Sequence, residues 1–227
     1  MADIVVRNAD DLLQRTDLAH SAVITIDIQN DFCHDRGSYR RAGFDVTSFQ
    51  EMAPRVETFL EKVRKIKVPV IHVAQIYTSW TMSAPFLQRL KLYHVDPDKT
   101  LQPGSWGAQF YGIKPLDDEC VVTKYRDSAF FGTDLDQILR CAMVNTIVLT
   151  GCATGGCVEC TARDGFFRDY FVVTLEDCTA GGIKKVHESA LIRLASIGAV
   201  TSSGVLLEAW DRISRIAGYG AIDVSKK

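Results

Sequence analysis

The chain lacks an excess of charge of either sign and any long apolar run. Its 227 residues hold 26 Lys and Arg against 28 Asp and Glu, so the formal net charge is only −2. A balanced charge offers no electrostatic attraction to nucleic acid or to an anionic membrane surface. No window approaches the ~18 consecutive apolar residues that span a bilayer, and residues 1–11 are too acidic for a secretion signal. We therefore expect a cytoplasmic protein without nucleic-acid or membrane partners.

Sequence motifs for metals and nucleotides are missing as well. The five histidines are scattered without the short spacing of a metal site, at His20, His34, His72, His94 and His187. No P-loop is present, and no Gly-x-Gly-x-x-Gly follows the first apolar run. His72 lies inside a predicted strand, where a satisfied core histidine is commoner than a metal ligand. The sequence thus predicts no cofactor and no required metal.

The seven cysteines show no disulfide framework. Their number is odd, and several lie in apolar, strand-like contexts. This pattern favours reduced thiols that serve as small apolar side chains. One C-x-x-C pair is present, Cys157 and Cys160, but a pair without a second set of ligands is only a weak indication of zinc or redox chemistry.

Apolar runs typical of buried strands alternate with patterns of helical spacing along the chain. The predicted strands cover residues 22–27, 68–74, 120–123, 146–150, 171–175 and 199–201. The predicted helices cover residues 49–67, 83–92, 133–141, 157–170, 183–196 and 204–216. This alternation predicts a single α/β domain of three layers (α/β/α), in which helices cover both faces of a doubly wound, mostly parallel six-stranded sheet. Residues 1–20 would form an N-terminal extension, and 217–227 a C-terminal tail.

Three reactive side chains follow predicted strands. Asp27 ends the first strand, Lys124 follows the third and Cys157 follows the fourth. Parallel sheets bind their ligands at the carboxyl ends of the strands. The sequence therefore predicts that these three side chains cluster at one edge of the sheet.

Each of the three residues also has a simpler interpretation. Cys157 follows a glycine-rich turn and opens a helix, which favours a reactive thiolate with a lowered pKa, but a buried structural cysteine also fits there. Asp27 could act as a general base or only cap a turn, and its neighbours at 29–31 could supply its hydrogen bonds or form that turn. Lys124 could stabilise the thiolate or be an ordinary solvated lysine.

The surroundings of these residues form three blocks in a characteristic order, namely Ile26-Asp-Ile-Gln-Asn-Asp-Phe-Cys33, Val122-Thr-Lys-Tyr-Arg-Asp-Ser-Ala-Phe130 and Thr150-Gly-Cys-Ala-Thr-Gly-Gly-Cys-Val-Glu-Cys-Thr-Ala-Arg-Asp164. In these blocks the chain resembles the isochorismatase-like cysteine hydrolases. That family includes nicotinamidases and the N-carbamoylsarcosine, ureidoacrylate and biuret amidohydrolases. The resemblance runs from about residue 20 to residue 210, and the three blocks together are highly specific.

The resemblance implies a role for each matching residue. Cys157 would be the nucleophile, Asp27 the general base and then acid, and Lys124 the residue that polarises both. A cis peptide bond between Cys152 and Ala153 would turn the Ala153 N–H towards the site, where it would form an oxyanion hole with the Cys157 N–H. The reaction would pass through a thioester on Cys157. The resemblance also implies a small-molecule substrate and a homodimer or homotetramer.

Departures from individual branches of the family narrow the expected substrate. Nicotinamidases carry a metal-binding Asp-x-His-His cluster after the second strand, and residues 75–80 lack it. Isochorismatase proper lacks the nucleophilic cysteine, whereas this chain has Cys157. Residues 124–133 are most similar to the carbamoyl and ureido hydrolases. The expected activity is therefore a metal-independent cleavage of a C–N bond in a small linear amide.

Several residues near these blocks are candidates for substrate binding, namely Gln29, Phe32, Trp80, Arg126, Phe130 and Thr154. Arg126 could pair with a substrate carboxylate, or with Asp127 or solvent at the rim of the site. Nicotinamidase-like or isochorismatase-like activity, a non-catalytic interaction protein and a dithiol redox protein stay open as alternatives. The apolar last helix, at residues 205–210, could supply a subunit interface or simply face the core.

Overall fold

A six-stranded, all-parallel β-sheet forms the centre of the computed structural model, which describes residues 5–6, 8–13 and 16–217. Its strands are β1 (Ser21–Ile26), β2 (Val70–Gln75), β3 (Cys120–Lys124), β4 (Thr146–Cys152), β5 (Phe171–Ala180) and β6 (Ala199–Thr201). They lie in the order β3-β2-β1-β4-β5-β6, and every neighbouring pair is parallel. The prediction of a doubly wound, mostly parallel sheet is confirmed.

Helices cover both faces of this sheet. The α-helices are α1 (Asn30–Cys33), α2 (Ser38–Arg41), α3 (Thr47–Lys65), α4 (Ala84–Leu92), α5 (Leu135–Cys141), α6 (Glu159–Phe166), α7 (Lys184–Leu194) and α8 (Ser203–Ala217). Helices α3, α4 and α8 contribute to one hydrophobic core, and α5, α6 and α7 contribute to a second. Val23 of β1 packs in the first core and Ile24 in the second, so the strand is buried on both sides. The predicted three layers are confirmed.

The strands form where β-branched and apolar residues allow burial on both faces, as a central parallel strand requires. All six residues of β1 and all seven of β4 are buried. The predicted strands agree with the observed ones within about two residues, apart from β5, which continues past residue 175 to Ala180. The prediction ended there because the polar residues Glu176 and Asp177 interrupt the apolar run. The observed α-helix in the region 157–170 is shorter than the predicted one. A turn of π-helix precedes α6, and α6 ends at Phe166.

The residues before β1 pack against the far edge of the sheet. Val6 pairs with Thr201 of β6, and its N–H donates to the Val200 carbonyl oxygen at 2.7 Å. Leu12 is fully buried in the first core. The predicted N-terminal extension is therefore part of the packed structure where it is described, whereas nearly all of the predicted tail at 217–227 lies outside the described residues.

The apolar face of α8 belongs to the core. Leu206, Ala209 and Trp210 are buried, and the Trp210 ring stacks on Phe59 of α3 at a centroid distance of 6.4 Å. Of the two alternatives for this helix, these contacts favour the core-facing one, and the homodimer or homotetramer stays a prediction. Across the residues described, we find no helix with the length and apolarity to traverse a bilayer.

The chain changes direction within the sheet between β1 and β4. From β1 it proceeds to β2 and β3 on one side, and from β4 it proceeds to β5 and β6 on the other. The connections that leave the carboxyl ends of β1 and β4 therefore diverge and leave a crevice between them. Asp27 and Cys157 lie in these two connections.

Candidate active site

Four polar side chains meet at the carboxyl end of the sheet. Asp27 follows β1, Gln75 ends β2, Lys124 ends β3, and Cys157 comes shortly after β4. These four strands are consecutive neighbours, so their ends lie side by side. Gln75 and Lys124 are direct partners across β2 and β3. The predicted clustering of Asp27, Lys124 and Cys157 is confirmed by their contacts.

The ammonium group of Lys124 connects the cluster. Its Nζ lies 2.8 Å from Asp27 Oδ2. It donates hydrogen bonds to Gln75 Oε1 at 2.7 Å, to the Arg126 carbonyl oxygen at 3.0 Å and to Cys157 Sγ at 3.3 Å. Burial alone would lower the pKa of Lys124, but the charge of Asp27 and the contact with Cys157 raise it. Lys124 is therefore a buried, fixed cation and not a solvated lysine.

Asp27 is a buried carboxylate with spare hydrogen-bonding capacity. It is 1% exposed, and its φ of 54° lies in the left-handed region that non-glycine residues occupy at a cost. Lys124 and Cys157 approach it, yet neither carboxylate oxygen accepts a well-aligned hydrogen bond from the described residues. Burial raises the pKa of Asp27, and the Lys124 cation offsets this only in part. Asp27 is thus a stronger base than an ordinary carboxylate.

Cys157 lies in a turn of π-helix, Thr154–Val158, that leads into α6. Its side chain is half-buried, and its Sγ is 3.6 Å from Gln75 Oε1. Burial raises the pKa of the Cys157 thiol well above its usual value, and the charge of Asp27 raises it further. The Lys124 cation lowers this pKa, but by less than the other two effects raise it. The expectation of a thiolate with a lowered pKa is therefore wrong, because burial and a neighbouring carboxylate outweigh the cation. Cys157 rests as a thiol that a base must deprotonate.

The turn between β4 and Cys157 has an unusual backbone. The peptide bond between Cys152 and Ala153 is cis, as predicted. Gly151 has a φ of 105° and lies so close to β1 that a Cβ atom would be 2.1 Å from the Ile26 carbonyl oxygen. Only glycine fits that position. The turn delivers Ala153 and Cys157 to the same cavity.

This cavity has a volume of about 420 Å³, which is enough for a small molecule. Asp27, Ala153 and Cys157 line it on the side of the sheet. Aromatic and apolar side chains supply much of the remaining wall, namely Phe32, Tyr39, Phe44, Phe49, Leu90, Tyr93, Ile183 and Val186. Two charged residues on the wall, Arg89 and Asp127, form a bidentate ion pair with each other.

The predicted substrate-binding residues are distributed over several places. Phe32 lines the cavity at Cys157. Trp80 and Arg126 line a different cavity of about 270 Å³, and the Arg126 guanidinium donates to two backbone carbonyl groups there. Phe130 is buried and stacks on Tyr170 at 5.8 Å. Arg126 and Phe130 are therefore structural in this arrangement, because contacts within the protein fix both side chains away from the cavity.

The residues next to Asp27 organise loops and do not bond to its carboxylate; the Gln29 N–H donates only to the Asp27 backbone carbonyl oxygen, at 2.9 Å. The Gln29 side chain donates to the Gln75 carbonyl oxygen at 3.0 Å and accepts from the Gln75 N–H at 2.8 Å. Asn30 donates to a loop carbonyl group, and Asp31 accepts hydrogen bonds from backbone N–H groups of two later segments. The idea that residues 29–31 supply the hydrogen bonds of the Asp27 carboxylate is therefore wrong, and the alternative that they form the turn after β1 fits the structure.

Sequence reasoning missed the site role of three polar or charged residues, Gln75, Arg89 and Asp127. Gln75 ends β2, so the strand-end argument that selected Lys124 could have selected it too. Arg89 and Asp127 come from α4 and from the loop after β3, and no local sequence signal pairs them. Thr154, another predicted binding residue, is buried and pairs its Oγ1 with His187 Nδ1 at 2.8 Å.

The described part of the chain holds neither a disulfide nor a cluster of metal-ligating side chains. It contains no group of three or more His, Cys, Asp or Glu side chains arranged to hold a metal ion. All seven cysteines are free thiols, and Cys160 lines the same cavity as Cys157. The absence of a metal requirement stays a prediction that activity measurements must test.

Comparisons with known proteins identify the family. The Isochorismatase domain matches residues 21–204, which include the whole Asp27, Lys124 and Cys157 cluster. Ureidoacrylate amidohydrolase RutB of Cronobacter sakazakii is 35% identical over 171 residues, which cover 70% of this chain and 74% of that protein. Ureidoacrylate amidohydrolase RutB of Methylobacterium radiotolerans is 32% identical over 195 residues, which cover 78% of this chain and 74% of that protein.

Solved structures show the same fold. A cysteine hydrolase from Pseudomonas syringae pv. phaseolicola superposes with a TM-score of 0.77 at 25% identity, over 87% of this chain and 95% of that chain. N-carbamoylsarcosine amidase from Thermoplasma acidophilum superposes with a TM-score of 0.65 at 25% identity, over 81% of this chain and 96% of that chain. The chain therefore belongs to the isochorismatase family of hydrolases.

Proposed function

We propose that this hydrolase is a cysteine amidohydrolase, which cleaves a C–N bond of a small linear amide of the carbamoyl or ureido class through a thioester. One observation carries the proposal: the Lys124 ammonium contacts both Asp27 and Cys157 where they line the cavity. Covalent acyl transfer needs a nucleophile, a base within reach of it and a group that orients both. The three side chains supply these parts.

The first half of the reaction begins with the Cys157 proton. Because the pKa of the thiol is raised, Asp27 accepts this proton while Sγ attacks the substrate carbonyl carbon. Lys124 stays charged beside the developing thiolate. The N–H groups of Ala153 and Cys157 hold the tetrahedral oxyanion. Asp27 then returns the proton to the departing nitrogen, the C–N bond breaks, and the acyl group remains on Sγ.

The second half transfers the acyl group to water. Asp27, again a carboxylate, takes a proton from a water molecule as its oxygen adds to the thioester carbonyl carbon. The new tetrahedral species collapses, the C–S bond breaks, and Sγ recovers the proton from Asp27. A ureido substrate would release a carbamate, which decomposes to carbon dioxide and ammonia or amine.

The names of the relatives support the substrate class. Two relatives are ureidoacrylate amidohydrolases, and one solved structure is an N-carbamoylsarcosine amidase. Both substrate names specify a carbamoyl group on nitrogen. A cavity of about 420 Å³ suits molecules of this size.

Ammonia release from a panel of amides tests the proposal. The panel contains ureidoacrylate, N-carbamoylsarcosine, biuret, phenylurea, maleamate and nicotinamide. We expect turnover of at least one carbamoyl or ureido compound, and a loss of about 10⁴-fold or more in Cys157→Ala, since that variant has no nucleophile. Intact mass after an acid quench should show the acyl group on the wild-type protein. Treatment with a chelator should leave the rate unchanged.

Two further cysteine variants complete this experiment. Cys141 is exposed and lies outside the cavity, so Cys141→Ala is the matched control and should keep the wild-type rate. Cys160→Ala addresses the dithiol alternative, because hydrolysis that persists without Cys160 excludes a disulfide between it and Cys157. Unchanged turnover in Cys157→Ala would refute the proposed function.

A non-catalytic role is the remaining alternative, and Asp27 argues against it. A left-handed backbone and a buried carboxylate without well-aligned hydrogen bonds both cost stability. The Lys124 ion pair offsets only part of that cost, and catalysis, unlike a purely structural role, needs a carboxylate with acceptor capacity left free.

A further inference from the structure

We propose that the cavity selects an uncharged substrate with an apolar, ring-sized substituent, and that the ion pair between Arg89 and Asp127 excludes anionic substrates. This inference deepens the proposed function, and it rests on that function in taking the cavity at Cys157 as the substrate site. It specifies the group that lies beyond the carbonyl carbon under attack.

Aromatic rings form a continuous wall of the cavity. The Tyr39 ring lies edge-on to Phe32 at 4.6 Å and stacks on Phe44 at 4.9 Å. Phe44 in turn meets Tyr93 edge-on at 6.0 Å. All four side chains line the same cavity as Cys157. A ring or branched alkyl group packs well on such a wall, whereas a polar chain gains little from it.

Exposed apolar side chains lie on the same cavity. Ile183 is 61% exposed and Val186 is 46% exposed, and both line it. Apolar surface that remains uncovered beside a cavity is typical of a binding site. An apolar substituent would cover these side chains, so the aliphatic wall and the aromatic wall favour the same kind of group.

Arg89 is the one basic side chain among the described residues that line the cavity, and its charge is already matched. Its two terminal nitrogens donate to the two carboxylate oxygens of Asp127, and its guanidinium lies 4.6 Å from the centre of the Phe86 ring. The bonds to Asp127 raise the pKa of Arg89, and although burial tends to raise the pKa of Asp127, the guanidinium lowers it. The pair therefore stays ionised, and the bidentate face of the guanidinium is occupied.

A carboxylate on the substrate would find no free cation in this cavity. Lys124 is engaged by Asp27, Gln75, the Arg126 carbonyl group and Cys157. An anion would have to displace Asp127 from Arg89 or be buried unpaired near two carboxylates, and both arrangements are unfavourable. Ureidoacrylate, which carries a carboxylate, should therefore be a poor ligand for this protein, although two relatives are named for it.

Calorimetric titration of the Cys157→Ala protein with two matched ligands tests the proposal. Phenylurea and 4-ureidobenzoate share the ring and the ureido group and differ by one carboxylate. We expect phenylurea to bind at least tenfold more tightly. Equal or tighter binding of 4-ureidobenzoate would overturn the proposal, and so would the absence of phenylurea binding at millimolar concentration.

Variants of the ion pair test its part in the selection. Asp127→Asn in the Cys157→Ala background keeps the shape of the side chain but removes its negative charge, which leaves the charge of Arg89 unmatched. The affinity ratio should then move at least tenfold towards 4-ureidobenzoate, and adding Arg89→Met should cancel that gain. Asp211→Asn, which removes the acid of an exposed ion pair on α8, is the matched control and should leave the ratio unchanged. An unchanged ratio in Asp127→Asn would overturn the role of the pair.

The design separates this inference from the proposed function. Each ratio compares two ligands on one preparation, so a partly misfolded variant does not distort it, and binding does not require Cys157. A wild-type protein that binds phenylurea tightly but hydrolyses no amide would reject the amidohydrolase and support the selectivity. One that hydrolyses ureidoacrylate faster than phenylurea would support the amidohydrolase and reject the selectivity.

Discussion

The two ends of β3 each carry a charge cluster, half-buried at the amino end and fully buried at the carboxyl end, and the two clusters are built in opposite ways. Glu119 comes directly before the first residue of the strand, and Lys124 is its last residue. Each residue forms an ion pair. Glu119 pairs with Arg64, and Lys124 pairs with Asp27. The clusters differ in how many donors their carboxylates receive.

At the amino end of β3, both oxygens of Glu119 have partners. Arg64 donates to Oε1 at 2.8 Å and to Oε2 at 3.0 Å, and Oε2 also meets the Leu116 N–H at 2.8 Å and His72 Nε2 at 3.0 Å. Burial alone would raise the pKa of Glu119, but these contacts lower it to about 2. The fold thus stabilises this charge, and the charge stabilises the fold.

At the carboxyl end of β3, the effect of burial on the pKa of Asp27 outweighs the effect of its contacts. Burial raises its pKa, and no described residue gives either oxygen a well-aligned hydrogen bond. An ion pair between a carboxylate and a cation at a strand end is therefore not enough to identify a catalytic pair. The comparison teaches that the distinguishing feature is the acceptor capacity left free, which is exhausted in Glu119 and available in Asp27.

The largest effect is expected from Asp27→Asn, because Asn cannot carry the proton between sulfur, leaving group and water as the proposed mechanism requires. General acid–base catalysis typically contributes ~10²–10⁴-fold, and Asp27 acts in both half-reactions, so kcat/KM should fall about 10³-fold or more. Lys124 keeps its hydrogen bonds to Gln75 and the Arg126 carbonyl group, so the fold should survive. Ammonia release and thermal unfolding of the same samples measure both effects. More than a tenth of the wild-type turnover would contradict the assigned role.

Glu119→Gln should reverse this pattern by costing stability and sparing turnover. It breaks a half-buried, fully bonded pair, so the free energy of unfolding should fall by about 1–2 kcal/mol, while kcat per folded molecule stays within about threefold. Urea unfolding measures the change. Glu208→Gln is the control, because Glu208 pairs with Arg212 on the exposed side of α8 and should cost at most about 0.5 kcal/mol. Equal losses in the two variants would show that the Glu119 pair stabilises the fold no more than an exposed ion pair does.

A smaller effect concerns the reactivity of the Cys157 thiol. The charge of Asp27 raises the pKa of Cys157, and the Lys124 cation lowers it. Asp27→Asn removes the negative charge and keeps the cation, so it should lower that pKa. Modification by iodoacetamide at neutral pH should then become severalfold faster, roughly tenfold if the pKa falls by about one unit. Peptide mass spectrometry over a pH series measures the rate at Cys157. A slower or unchanged rate would show that the carboxylate does not hold the thiol protonated.

The smallest effect is the pH dependence of the Glu119 contribution. Its pKa is about 2 in the folded chain and 4.5 in the unfolded one, so the ionised form is favoured by folding. The stability it supplies is complete above about pH 4.5 and disappears as the pH falls towards 2. The difference in unfolding free energy between wild type and Glu119→Gln should therefore be constant at neutral pH and narrow in acid. A difference that grows on acidification would contradict the bonding at this end of β3.

The sequence predicted the elements and residues whose placement depends on local pattern. The strands follow from short β-branched runs, and the strand-end argument alone brought Asp27, Lys124 and Cys157 together. Their assignment to a nucleophile, a base and a polarising cation came from the family resemblance. The cis bond after Cys152 came from the same source, since no local pattern indicates it.

Features that depend on distances between remote segments were beyond the sequence. The pKa of Cys157 has the opposite sign of shift from the one expected, because its distance to Asp27 and its burial decide the balance. The ion pair of Arg89 with Asp127 joins two segments with no shared pattern. The core position of Trp210 could not be told from an interface, since both bury an apolar helix face.

Four consecutive strands each bring one side chain to the site, at or just after their ends, and the thiol arrives last along the chain. During synthesis, Cys157 therefore has no base beside it until β1 and β4 have paired. An incomplete or partly unfolded chain would be catalytically inactive, because its thiol would lack the neighbouring carboxylate. In a refolding experiment, the return of hydrolysis should then lag behind the collapse of the chain and report the moment when the centre of the sheet closes.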